Sequence, residues 1–164
     1  MKVSFFLAVF LLLSKNILAY ESPRYEIKAT LDVQNKVIKA HQKVTVVNNS
    51  DKSWPEIYFH VYPNREYTSA EKKSLMKYAG FFKVNPFPEG FQRPKMNIYS
   101  INQADQTLTY SLEGQDKTIL KVTLSQELLP GQTVDIDLDF SVTIPHAYGR
   151  FGWHDGVFAI FRDQ

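Results

Sequence analysis

Thr133-Val134-Asp135-Ile136-Asp137-Leu138-Asp139-Phe140-Ser141-Val142-Thr143-Ile144 decides the fold class of this chain. Every second residue is apolar, and every residue between Thr133 and Thr143 that separates them is polar. A backbone whose side chains alternate between two sides places such a sequence on a strand with one buried and one wet face. A helix would scatter the same residues around its axis. The tight-turn pair Pro130-Gly131 stands just before it.

The same period recurs upstream. Tyr25, Ile27, Ala29 and Leu31 alternate with polar neighbours. Ile38, Ala40, Val44 and Val46 share one parity, with Gln42 the exception. Ile57, Phe59 and Val61 form a third row, and Leu120, Val122 and Leu124 a fourth. Asn48-Asn49-Ser50-Asp51 and Glu113-Gly114-Gln115-Asp116 punctuate the boundaries. Links this short join antiparallel strands, because parallel crossovers need a dozen or more residues. The reading is an all-β domain of about seven or eight strands, an antiparallel two-layer sandwich or a large twisted sheet.

Residues 68–79 break the pattern. Thr68 and Glu71 have the spacing of a capping box, and Leu75, Met76 and Ala79 would share a helical face. One short helix is predicted near residues 69–79. The following stretch is rich in aromatics, Gly and Pro, from Phe81 and Phe82 through Pro86, Phe87, Pro88, Gly90 and Phe91 to Pro94. It reads as a loop whose aromatic rings cap the sheet.

The first residues read as an address. Lys2 precedes an apolar run from Val3 to Leu13, and Ile17-Leu18-Ala19 ends on a small residue before a polar stretch. This is the layout of a secretory signal peptide at residues 1–19, cleaved after Ala19. The run is too short to span a membrane, which takes about 20 residues. The domain is therefore residues 20–164, expected to be secreted or periplasmic and off the membrane once cleaved. Lys2 and Lys15 leave with the signal and no acidic residue does, so the remaining chain carries equal numbers of each sign. Nothing in that balance points to nucleic acid. The chain has no cysteine, so stability rests on packing.

Several segments then resemble a known family in order. Tyr25-Glu26-Ile27-Lys28-Ala29-Thr30-Leu31-Asp32 resembles the first strand of the aminopeptidase-N-like zinc metallopeptidases, the gluzincins. Val44-Thr45-Val46-Val47-Asn48-Asn49-Ser50 is similar to their second strand and its ending, and Glu56-Ile57-Tyr58-Phe59-His60-Val61-Tyr62-Pro63-Asn64 to a stretch of bacterial members. Leu129-Pro130-Gly131-Gln132, Ile144-Pro145 and Arg150-Phe151-Gly152 fit the later part. The resemblance implies an N-terminal, non-catalytic β domain that packs against a thermolysin-like catalytic domain holding zinc. That zinc site uses His-Glu-x-x-His, whose histidines share a helix face, with the Glu activating a metal-bound water. Neither this motif nor the family's Gly-x-Met-Glu-Asn segment occurs here. No catalytic, cofactor-binding or metal residue is carried over, and no cofactor is expected in this chain. The chain then reads as a fragment or truncated frame of such a peptidase, as a subunit paired with a separate catalytic chain, or as a stand-alone relic. The competing class is an immunoglobulin-like binding or adhesion module, because sandwiches recur without common function.

The chain's own candidate chemistry is sparse. His146, His154 and Asp155 have metal-donor types, but the separation of the two histidines fits no compact ligand motif, so they read as loop histidines. Asp135, Asp137 and Asp139 read as a solvent-facing acidic stripe paired with lysines on a neighbouring strand, since a calcium site needs a cage of oxygens. Asn48-Asn49-Ser50 is a formal glycosylation sequon.

Overall fold

The alternation at 133–144 becomes the central strand of a five-stranded sheet in the computed structural model, which describes residues 21–81, 83 and 85–160. The expected export signal lies outside these residues. Ten strands occur among them: β1 (Arg24–Asp32), β2 (Val37–Val47), β3 (Trp54–His60), β4 (Lys95–Gln103), β5 (Gln106–Thr107), β6 (Tyr110–Glu113), β7 (Ile119–Leu128), β8 (Thr133–Thr143), β9 (Phe151–His154) and β10 (Val157–Ile160). One α-helix, α1 (Ser69–Phe81), stands between β3 and β4, preceded by a single 3-10 turn at Tyr62–Asn64. Every strand ladder is antiparallel. The all-β reading with one short helix holds.

The large sheet runs β1-β2-β8-β4-β5 and the smaller one β3-β7-β6, with β9 and β10 forming a separate hairpin. Register explains which residues share a face. Val44 pairs with Ile136, Val46 with Val134, and Ile101 on β4 with Leu138. These side chains form one buried cluster with Ile57, Leu120, Val122 and Leu124 of the smaller sheet. The molecule is therefore a two-layer sandwich whose core lies between β2-β8-β4 and β3-β7.

β4 was not legible as a strand, because its ladder with β8 shifts between Ile98 and Ser100. Tyr99 is the extra residue of this bulge, and it breaks the alternation that joins Met96 and Ile98 to Ile101. A bulge re-aims side chains, and here Tyr99 and Ser100 both reach β8. Tyr99 Oη lies 2.7 Å from Ser141 Oγ, and Ser100 Oγ donates to Asp139 Oδ2 at 2.9 Å.

The turn residues act locally as expected. Gly131 and Gly114 adopt positive φ, +76° and +83°, where a side chain would be strained. Thr68 and Glu71 form the reciprocal capping box. The Thr68 amide donates to Glu71 Oε2 at 2.8 Å, and the Glu71 amide donates to Thr68 Oγ1 at 3.2 Å. That first amide bond, followed by the Thr68 hydroxyl, lowers the Glu71 carboxyl pKa. The apolar residues of the helix are not drawn into the core. Leu75 and Met76 are exposed, because Lys, Ser and Glu interrupt α1 and leave too narrow a stripe to bury.

Asn48, just after the end of β2, is fully buried. Its Nδ2 donates to the carbonyls of Lys52 and Leu128, both at 2.7 Å. Its Oδ1 accepts from the Ser50 amide at 3.0 Å and from the Ser50 hydroxyl at 2.8 Å. Its backbone closes the set, with the amide donating to Gln132 and the carbonyl accepting from Gly131. One side chain thus ties the β2–β3 turn to the end of β7 and to the Pro-Gly turn. A glycan on Nδ2 is incompatible with this burial, so the sequon is structural here.

Candidate functional site

Three places gather chemistry, and the first is the wet face of the large sheet. The acidic stripe on β8 meets β2 in register, His41 opposite Asp139, Lys43 opposite Asp137 and Thr45 opposite Asp135. Lys43 Nζ reaches Asp135 Oδ2 diagonally at 2.8 Å, and Thr45 Oγ1 donates to its Oδ1 at 2.6 Å. These bonds hold the Asp135 carboxyl below its usual range, the Lys43 contact being the larger cause. His41 lies between two carboxylates, with Nδ1 2.9 Å from Asp139 Oδ1 and Nε2 3.4 Å from Asp137 Oδ1. The His41 bond, then the Ser100 hydroxyl, lowers the Asp139 pKa.

The stripe therefore pairs with a lysine as expected, and also with His41, whose partner the sequence did not reveal. Ser100, Asp139 and His41 are the residue types of a hydrolase triad in the wrong order. The carboxylate, not the imidazole, contacts the hydroxyl, so nothing is placed to remove the serine proton.

The second place is the β9–β10 hairpin and the chain leading to it. Asp155-Gly156 forms its two-residue turn with both φ values positive, +47° and +77°, the conformation that matches strand twist. Val157–Ile160 pairs here with β9. His146 stacks on Trp153 with centroids 4.3 Å apart, and His154 on Tyr148 at 3.9 Å. His146 Nδ1 is 3.1 Å from Glu89 Oε1 but off-line for a hydrogen bond, and His154 Nδ1 lies 3.7 Å from Asp155. Asp155 instead accepts from the Tyr148 hydroxyl at 3.0 Å, which raises the tyrosine pKa. The ammonium of Lys36, in the β1–β2 turn, sits 4.7 Å from the Trp153 ring and 5.3 Å from that of Phe158. This cation–π contact joins the hairpin to the large sheet.

Each histidine is thus committed to its own aromatic ring. Among the described residues no group of three or more His, Cys, Asp or Glu is arranged to hold a metal. The aromatic loop before this region makes ring contacts within itself and with the chain just ahead of it. Phe87 meets Phe91 edge-on at 4.9 Å, Phe91 meets Tyr67 at 5.3 Å, and Lys72 covers Phe91. Pro86 is buried, and its carbonyl accepts from the Tyr148 amide.

The third place is a cleft of about 490 Å³ where the two sheets part, between the edge strands β1 and β3. Tyr25, Val46, Trp54, Ile57 and Phe59 line it, with Glu21, Asn49 and Glu56 among the polar groups. Tyr58 Oη donates to Glu56 Oε2 at 2.7 Å, which raises the tyrosine pKa. The size suits a small ligand or an inserted side chain, and the lining is apolar with few hydrogen-bonding groups. The Ser50 hydroxyl in the lining donates to Asn48 Oδ1 at 2.8 Å. Sequence reading placed Ile57 and Phe59 in a core row but missed the cleft, because the gap depends on how far one sheet overlaps the other. The aromatic residues Tyr25 and Trp54 at strand starts were the available signal.

No protein-family model and no curated protein matches this chain. No helix among the described residues is long and apolar enough to cross a membrane.

Proposed function

We propose that this chain is the non-catalytic β domain of an exported, aminopeptidase-like zinc metallopeptidase, the unit that packs beside a zinc-holding catalytic domain. The observation that carries the reading is exposed apolar residues on the β9–β10 hairpin, away from the core. Val157 and Ile160 on β10 are exposed, as are Leu75 and Met76 on α1, and large apolar side chains left in solvent are what a neighbouring domain would cover. The segments that resemble the gluzincin β domain support it, since they fall on β1, β2, β3, the turn before β8 and the approach to β9. The zinc and the water-activating Glu belong to the neighbour in this reading, and the domain's own contribution is shape and position.

The test is recovery of the native protein from its source cells, outside the cytoplasm. A species that begins at Tyr20 and is continuous with, or bound to, a zinc-dependent aminopeptidase supports the proposal. Recovery of the chain free of any peptidase, or with Met1 intact in the membrane fraction, overturns it. The second reading, a stand-alone binding module of immunoglobulin-like type, is favoured by the apolar cleft between β1 and β3. Displacement of a bound peptide or glycan by Trp54→Ala, with no peptidase in the complex, would select it.

A further inference from the structure

Strand β1 is the outermost strand of the large sheet, paired on one side with β2 and on the other with nothing among the described residues. Arg24 through Leu31 are all exposed. Its apolar row, Tyr25, Ile27, Ala29 and Leu31, continues the inner face of β2, because Tyr25 is opposite Val44 and Leu31 opposite Ile38. The smaller sheet does not extend over it, so Ile27 is 56 % exposed on the face that is buried two strands away. An unpaired edge with an apolar face is a template for another strand.

We infer that the occupant of this edge is a second copy of the same chain, joined β1 to β1 in antiparallel, two-fold fashion about Ile27. The charges of the strand select that partner and that register. Pairing about Ile27 sets Ile27 against Ile27 of the second copy and Tyr25 against Ala29. On the wet face it sets Glu26 against Lys28, twice by symmetry. Shifting the centre to Lys28 would place Lys28 against Lys28 on the axis and Arg24 against Asp32 only at the strand ends, where the Asp32 carboxylate is already held by Asn35. Shifting it to Glu26 would place Glu26 against Glu26 and Arg24 against Lys28. Like charges directly opposite oppose pairing and unlike charges favour it. A slip to the odd registers would turn the apolar row of one copy onto the polar side of the other. Glu26 holds Arg24 of its own strand at 2.7 Å with both side chains exposed, which leaves its carboxylate open to a second cation from Lys28 of the other copy.

The two-fold axis of such a pair is perpendicular to the sheet, so both smaller sheets lie on the same side. Their free β3 edges then face one another across the seam. The clefts lined by Tyr25, Trp54 and Phe59 meet along it, and the apolar row of β1 gains the cover it lacks in the single chain. Self-complementarity of one patch is what a two-fold interface requires. This inference does not rest on the peptidase reading, whose apolar surfaces lie on α1 and β10.

The test is sedimentation velocity of the purified protein across a broad range of concentrations, with circular dichroism confirming that each variant is folded. The wild-type chain is expected to sediment as a dimer in equilibrium with monomer. Lys28→Glu sets two carboxylates against each other, the new one facing Glu26 of the second copy, and is expected to weaken association about tenfold or more. The doubly swapped variant Glu26→Lys with Lys28→Glu is expected to restore it. All of these residues are exposed in the single chain, so its melting curve at low concentration should not move. A wild-type chain that stays monomeric throughout, or a Lys28→Glu variant that dimerises as well as wild type, overturns the inference.

Discussion

Strands β8 and β1 carry the same alternation and lie two places apart in one sheet, yet only one of them is covered. Ile136 and Leu138 are buried to within 2 % of completely, whereas Tyr25 and Ile27 on the same face are more than half exposed. Propensity does not separate them, since both strands are built from β-branched, aromatic and aliphatic residues on one parity. The difference is what stands opposite. β8 faces β3 and β7, and β1 extends past the rim of the smaller sheet. Alternation therefore identifies the side of a strand that seeks cover, and says nothing about whether cover is there.

The largest effect that tests this contrast is in the core. Leu138→Ala should cost about 2–5 kcal/mol in denaturant unfolding, the usual range for emptying a packed site. Ile27→Ala, measured on the monomer at low concentration, should cost under about 0.5 kcal/mol, as at an ordinary surface position. Equal losses at the two sites would break the comparison.

Next are two positions where the covered part of the sandwich is locked in place. Asn48→Ala strands the buried Leu128 carbonyl and removes one of two donors to that of Lys52, and a loss of about 1–3 kcal/mol is expected. Asn48→Asp should be worse, because a carboxylate would face those carbonyl oxygens. Gly152→Ala should cost about 1–3 kcal/mol, the usual penalty of overpacking. A Cβ there would collide with the Ala147 carbonyl oxygen. Thermal melts read both, and near-UV circular dichroism would report the displaced Trp153. A silent Gly152→Ala would mean that the hairpin does not seat against Ala147.

The smallest effect belongs to the wet face. Asp135 and Asp139 have carboxyl pKa values lowered by their hydrogen bonds to Lys43 and His41. A lowered folded-state pKa contributes stability that is present above the ordinary carboxylate value of about 4 and lost as pH falls through the lowered one. Both side chains are about half exposed, 46 % and 47 %, so screening limits each to under about 1 kcal/mol. Asp135→Asn with Asp139→Asn should lower the melting temperature slightly at neutral pH and flatten its decline between about pH 5 and 2. The difference from wild type should shrink in 1 M salt, where the screening length is about 3 Å. A full-sized difference at high salt would mean that packing, not charge, holds these pairs.

Much of the fold was legible where one strand or one turn carries its own signal. The period of two marked β1, β2, β3, β7 and β8, and Thr68 with Glu71 marked the start of α1. β4 escaped because the bulge at Tyr99 shifts the parity halfway along, so that no single row survives a reading by alternation. The β9–β10 turn was available as Asp155-Gly156 between two apolar runs. The candidate sites were less legible. His41 and Asp139 are far apart in the chain, and their meeting depends on the pairing of β2 with β8.

By itself, then, the sequence determined what is local: which face of each strand is apolar, where the chain turns, and how α1 is capped. These depend on backbone geometry within a few residues. Tertiary structure alone decided that Asn48 is a buried hub and not a glycan site, that His41 lies between two aspartates, and that the apolar row of β1 is left open beside a cleft. Those outcomes depend on long-range register and on the unequal widths of the two sheets. A smaller sheet of three strands cannot cover a larger one of five.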